Sequence, residues 1–293
     1  RQMCIRDRYR NNILLIASLL FYAYGEPRFV FLMIFSIIMN WAMALLIENS
    51  KENARMRKIV LVMAVLINIG ILFVFKYFDF SITIFNMLFG SSLGILGIKL
   101  PIGISFFTFQ AISYIIDIYR GEGKVQRSLL KVGLYISLFP QLIAGPIVRY
   151  KTVAEQIEYR KTTAEMFADG IRRFLCGFCK KVLLANNLAV VSEEIFSVQS
   201  FAELPIGYAW IGAISFSLQI FYDFSGYSDM AIGLGKMFGF EFQENFNYPY
   251  ISKSISEFWR RWHMSLGQWF RDYVYIPLGG SRAVSYTHLT LPT

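Results

Sequence analysis

The chain has 293 residues, of which 55% are hydrophobic, 17% aromatic and only 17% charged, where soluble domains average about 25% charged. That deficit, with several long apolar runs, points away from a soluble domain and toward an all-α, polytopic membrane protein. The net charge of +9 reads as cytoplasmic loops rather than nucleic-acid binding, because no basic face with exposed stacking aromatics stands apart from the apolar runs.

In chain order, RQMCIRDR at 1–8 is polar and yields abruptly to apolar sequence. AVSYTHLTLPT at 283–293 follows GGSR without continuity of pattern. Both ends resemble translated adapter read-through, so residues 9–282 are the expected native part, a single membrane domain incomplete at both ends. Removing 1–8 subtracts three Arg and one Asp, taking +9 to +7. Cys4 and His288 drop out with the ends, and no signal peptide is judged without the true start.

Apolar segments are measured against the ~20 residues a bilayer crossing needs. Residues 11–24 form a short first span and 29–47 a clear one. Lys51, Arg55, Arg57 and Lys58 then mark a cytoplasmic loop. Residues 59–75 cross outward, and 102–118 return to a second basic loop holding Arg120, Lys124, Arg127 and Lys131. Between them, 82–98 is apolar but contains Gly90, Gly94 and Gly97. With both basic loops on one side it is not a third full crossing, and a re-entrant or interfacial piece is expected.

Residues 132–148 contain Pro140, Gly145 and Pro146. Proline removes a backbone donor, and broken backbone at membrane depth survives only where protein or a water-filled cavity covers it. The segment LFPQLIAGPIVRY, with Gln141 inside it, is expected to line a cavity or re-enter, with a kinked span as the alternative. Residues 152–169 are polar and expected outside the bilayer. Residues 170–191, 206–224 and 230–240 are the next apolar segments, making roughly 8–10 transmembrane or re-entrant helices in all. The CxxC of Cys176 and Cys179 stands alone in a histidine-poor chain. It is read as two small apolar residues on one helix face rather than a redox pair or half a zinc site, and no metal is expected.

The run SLQIFYDFSGYSDMAIG at 217–233 carries Asp223, Ser225, Ser228 and Asp229 between apolar flanks. A carboxylate there needs a cavity or a partner. It fits the polar wall of a substrate tunnel, a hydrogen-bond cluster joining two helices, or a transporter proton relay. Residues 254–270 are expected to form one interfacial helix, capped by Ser254 or Ser256. Ile255, Phe258, Trp259, Trp262, Leu266, Trp269 and Phe270 fall within an arc of about 120°, with Arg260 and Arg261 pointing away. His263 lies about 80° from the centre of that arc, where it is partly buried and reaches a polar cavity. That position suits an acid or base; a structural histidine bonded to a carbonyl is the competing reading.

Several motifs together resemble a known family: YFDF at 77–80, LPIGISFFTFQAISYIIDIYR at 100–120, FPQLIAGPIVRY at 139–150, FCKKVLLANNLA at 178–189 and FYDFSGYSDMAIGLGKMFGFEF at 221–242. The longest is NFNYPYISKSISEFWRRWHMSLGQWFRDYVYIPLGGSR at 245–282. The chain resembles the bacterial branch of the membrane-bound O-acyltransferases, of the alginate O-acetylation type, with the teichoic acid D-alanyl transferases more distant. The resemblance implies a multi-helix fold around a tunnel in the bacterial cytoplasmic membrane. It implies transfer of an acyl group, typically acetyl, from a cytoplasmic thioester toward an extracytoplasmic polysaccharide. The donor would be acetyl-CoA or an acyl-carrier thioester, with no bound cofactor. Periplasmic or membrane-anchored acetyltransferase partners would complete the pathway.

The family has two signature histidines. One maps to His263. The other lies in a downstream tryptophan-histidine-glycine motif, usually assigned the catalytic role, which this sequence does not reach; His288 in YTHLTL is not its equivalent. The chain alone is therefore expected to be inactive, with His263 supporting catalysis and Gln141, Asp223, Ser225, Ser228, Asp229, Arg260 and Trp262 lining the tunnel. A polysaccharide exporter or transporter without covalent chemistry, and a scaffold for other acetylation proteins, are the competing functions. No pairing of broken helices in inverted repeats favours transport.

Overall fold

The computed structural model describes residues 2–143, 145–197 and 204–280, with backbone alone for 2–8. Among them every regular element is helical, as the composition implies. His288, Arg282 and the tail at 283–293 lie outside the described residues. The described chain forms two compact units: 2–143, 147–158 and 264–280 make the first, and 145–146 with the described part of 159–263 the second.

In the first unit, α1 (Gln2–Gly25) packs on α6 (Leu129–Ser137), and α2 (Val30–Asn49) and α3 (Ala54–Lys76) form a hairpin against α5 (Ile104–Arg120). Asn53 starts α3 by accepting the Met56 N–H at 3.0 Å, the normal work of an N-cap asparagine. Asn40 and Asn68 join the hairpin in its buried interior. Asn68 Nδ2 donates to Asn40 Oδ1 at 2.8 Å, and Asn40 Nδ2 donates back at 3.2 Å. Paired amides satisfy each other where lipid offers nothing.

The glycine-bearing segment behaves as its composition requires. Helix α4 (Phe78–Phe89) stops at Gly90, which is left-handed at φ 61, and residues 91–100 are irregular. They are tied back to α4 by side chains. Asp79 accepts the Leu96 and Ile98 N–H groups at 3.1 and 3.2 Å, and Asn86 accepts from Leu93 at 3.0 Å. The aspartate of YFDF thus supplies acceptors that the irregular backbone lacks, and 82–98 is not one continuous span.

Helix α6 ends at Leu138, and a single turn, α7 (Phe139–Leu142), restarts the chain with Pro140 in its first turn. A proline ring there would strike the Ile136 carbonyl of a continuing helix but is well placed at a helix start. The break expected from LFPQLIAGP is present. Beyond it α8 (Tyr150–Glu158) brings Tyr150 against Tyr114 and Tyr135, with ring centroids 4.7 and 5.3 Å apart.

In the second unit, Thr163 caps α9 (Ala164–Cys179) by accepting the Met166 N–H at 3.1 Å. Helix α9 therefore begins inside the polar stretch 152–169. A π-helical turn, Lys180–Ala185, joins it to α10 (Asn186–Phe196) without interruption. The segments 206–224 and 230–240, expected as separate, are one 32-residue helix, α11 (Ile206–Met237). The carboxylates of the polar run are paired across to α9 and to the π-helical turn that follows it. Among the described residues three helical stretches are long and apolar enough to cross a membrane: Val30–Asn49, Ala54–Lys76 and Ala164–Phe196.

Candidate functional site

Helix α11 presents two distinct faces. At 100° per residue, Asp223, Gly226, Asp229 and Gly233 fall on one side, while Phe221, Phe224 and Ser228 fall on the other.

The first side meets α9 at backbone contact. A Cβ added to Gly177 would lie 2.5 Å from the Gly226 carbonyl oxygen, and one on Gly233 would lie 2.6 Å from the Phe174 nitrogen. Glycines at these crossings let the two backbones approach, the usual way helices associate in lipid. The close approach brings cations to the buried carboxylates. Asp229, 7% exposed, accepts Arg173 Nε at 2.8 Å and Lys180 Nζ at 2.5 Å. Asp223, nearer the surface, pairs with Lys181. Arg173 also reaches Glu244 at 2.6 Å. Arg173, Lys180, Lys181 and Glu244 were not singled out from the sequence. The adjacent FCKK lysines and the two aspartates six residues apart were the available signal. Ser225 and Ser228 are buried, and their hydroxyls have no partner among the described residues. Cys176 and Cys179 are both exposed on α9.

The other side of α11 holds the histidine. Residues 254–270 are two helices, not one: α12 (Ile255–Arg261) and α13 (Met264–Phe270). Ser254 caps α12 by accepting the Glu257 N–H at 3.1 Å. Trp262 is extended at φ −101, ψ 128, and His263 takes a left-handed φ of 44. Two contacts explain the break. The Asn247 N–H donates to the Arg261 carbonyl at 2.9 Å, the acceptor a continuing helix would have offered to residue 265. Asn245 Oδ1 lies 3.0 Å from His263 Nδ1. Histidine is among the few non-glycine residues enriched in the left-handed region.

The expected apolar face is divided accordingly. Ile255 and Trp259 are exposed at 79% and 61%. Trp262 stacks on Phe258 at 5.5 Å and meets Phe246 edge-on at 5.2 Å, with Phe221 and Tyr250 at 6.2 Å. Arg260 is exposed, while Arg261 turns back to Glu257 at 2.9 Å. Leu266 and Trp269 belong to the first unit, in a core with Ile112, Ile147 and Tyr273. There the Trp269 indole N–H donates to the Phe109 carbonyl at 3.0 Å, and Tyr273 Oη donates to Asp117 at 2.6 Å.

His263 is half-buried, with the Phe224 ring edge-on at 4.8 Å. With the Asn245 amide oxygen as acceptor, Nδ1 carries the proton and Nε2 presents its lone pair. Burial pushes the imidazole down from about 6.5 to about 4. Among the described residues no carboxylate is bonded to it to stabilise an imidazolium, unlike the aspartate of a hydrolase triad. The pair therefore orients a neutral ring and leaves it weakly basic. Gln141 lies in the first unit, 1% exposed, donating Nε2 to the Tyr135 carbonyl at 2.7 Å. The structure thus places Phe224, Ser228, Trp262 and His263 on one side of α11 and the Asp223 and Asp229 ion pairs on the other.

Comparison with known proteins assigns this chemistry to a family. Residues 124–291 match the model of MBOAT, the membrane-bound O-acyltransferase family. Over 284 residues the chain is 45% identical to the probable alginate O-acetylase AlgI of Pseudomonas aeruginosa, covering 96% of the chain and 54% of that protein. It is 35% identical over 308 residues to the peptidoglycan O-acetyltransferase of Helicobacter pylori, covering 95% and 58%. The teichoic acid D-alanyltransferase of Bacillus subtilis is 35% identical over 179 residues, covering 60% and 45%. The chain spans about half the length of the curated relatives it matches. With its matched region running through the aromatic cluster and His263, and with helices apolar enough to cross a bilayer, the chain belongs to the membrane-bound O-acyltransferase family and is an integral membrane protein.

Proposed function

We propose that the whole protein is a multi-pass O-acetyltransferase of the bacterial cytoplasmic membrane. It moves acetyl from a cytoplasmic thioester, acetyl-CoA or an acyl-carrier protein, toward an extracytoplasmic polysaccharide. The observation that carries this reading is the 45% identity to a probable alginate O-acetylase over 96% of the chain. A polymeric carbohydrate acceptor is also what the named peptidoglycan relative modifies. Periplasmic or membrane-anchored acetyltransferases are the proposed partners that complete delivery to the polymer.

Within this reading His263 supports the chemistry as an oriented hydrogen-bond acceptor. Transfer requires a hydroxyl to attack the thioester carbonyl while a base takes its proton. Nε2 is positioned to hold that hydroxyl, with Asn245 fixing the tautomer from the far side of the ring. The lowered basicity suits holding and orienting the nucleophile better than carrying away its proton. Trp262 and Phe224 would form the apolar wall that keeps water from the thioester. Ser225 and Ser228 are proposed as polar lining of the substrate path, and Arg260 as a surface contact to it.

Deleting the gene and restoring it on a plasmid tests the reading. O-acetyl content of the exported polysaccharide, measured by proton NMR, should vanish on deletion and return on restoration. Unchanged O-acetylation, with polymer export reduced instead, would replace transfer by export.

A further inference from the structure

A cavity of about 420 Å³ opens in the first unit where three helix ends meet: the last turn of α2, the first turn of α3 and the end of α5. Ile47, Ile118 and Val125 form its apolar walls, and Glu48, Lys51, Arg57 and Lys124 its charged ones. This volume lies within the range of small-molecule sites. Both basic loops named from the sequence contribute to it, so they lie at the same end of the α2, α3 and α5 cluster.

The charges do not cancel. Lys51 sits 3.5 Å from Glu48, with a side chain 65% exposed, a weak pairing at that exposure. Arg57 donates to the Ile118 carbonyl at 3.3 Å and to that of Tyr119, and lies 4.9 Å over the Tyr119 ring. Its Nε is buried without a partner among the described residues. Among the described residues no carboxylate pairs with Arg57 or Lys124 there. Glu122, the acid nearest Lys124 in sequence, is occupied by Lys151 at 2.6 Å and Arg120 at 4.0 Å, and Glu52 beside Lys51 is exposed and does not line the cavity. Three cations and one carboxylate therefore face the cavity. The helices that end there, Val30–Asn49 and Ala54–Lys76, are long enough to cross a membrane, so the cavity sits at headgroup depth.

We propose that this cavity binds a phosphate-bearing anion, and its depth favours the headgroup of an anionic phospholipid. Basic pockets at the ends of membrane helices hold such headgroups, each lysine or arginine contributing to the attraction. The inference concerns binding and stands apart from acyl transfer.

The test uses the whole chain in phosphatidylcholine nanodiscs doped with phosphatidylglycerol, with retained lipid counted by native mass spectrometry. Two double variants of equal charge change are compared. K51Q/K124Q removes cavity cations; R55Q/K58Q removes exposed cations of the same loop that do not line it. Preference for phosphatidylglycerol should fall about fivefold per lysine removed in the first variant and little in the second. A second arm adds inorganic pyrophosphate to protein in pure phosphatidylcholine nanodiscs and follows the melting temperature. If pyrophosphate stabilises the wild type but not K51Q/K124Q, while no lipid preference exists, the phosphate site stands with a soluble ligand. Equal loss of lipid preference in both double variants, or binding of neither anion, overturns the proposal.

Discussion

The two units hold their helices together by different means. The first interlocks large side chains: Tyr114 and Tyr135 are almost fully buried, and Tyr135 Oη donates to the Val148 carbonyl at 3.0 Å. The α9–α11 pair of the second has few large buried side chains. It brings backbones together at glycine and bridges them with ion pairs. Lipid competes with apolar side chains for contact, so close backbone approach and polar bridges become the available attractions. A region that relies on fit between backbones tolerates no added carbon; a region that relies on side chains tolerates small trims.

The most severe test of this contrast adds carbon at a crossing. Gly177→Val places its side chain against the Gly226 carbonyl and should cost at least about 3 kcal/mol, separating α9 from α11. Gly207→Ala, with nothing within 4 Å, should leave the detergent melting temperature unchanged. Next, Asp229→Asn leaves Arg173 and Lys180 facing a neutral amide and should destabilise by about 2 kcal/mol. Asp223→Asn, whose partner pair is half-exposed, should cost less than about 1 kcal/mol. In the first unit, Tyr135→Phe keeps the ring and strands the Val148 carbonyl, with an expected loss of about 1–2 kcal/mol in chemical denaturation.

A pH dependence follows from His263. Its folded value near 4 lies below its ordinary 6.5. The unfolded chain therefore binds the proton first as pH falls. The stability contribution is complete above about 6.5 and is lost progressively toward about 4. His263→Gln should flatten the melting temperature across that window; an unchanged slope would remove the histidine as its cause.

Much of this organisation was legible in the sequence because it rests on chain-local chemistry. Basic loops, the Pro140 break and the Gly90 stop follow from which residues suit a helix. The helix break at Trp262–His263 was not legible. Its cause is a pair of competitors well upstream, where Asn245 and Asn247 take the His263 ring and the Arg261 carbonyl. No glycine or proline marks the place, so periodicity ran straight through it. The aspartates of α11 were visible as buried charge, while their partners were not, because pairing depended on which face of α9 the glycines bring close.

The proposed role of Asn245 is to hold His263 as an oriented, neutral acceptor. Polysaccharide O-acetylation by the whole protein carrying His263→Ala or Asn245→Ala, normalised to membrane-inserted protein, tests it most directly. Acetylation should be abolished by the first and reduced about 10- to 100-fold by the second, with insertion intact in both. Full acetylation by the correctly inserted His263→Ala protein would contradict it.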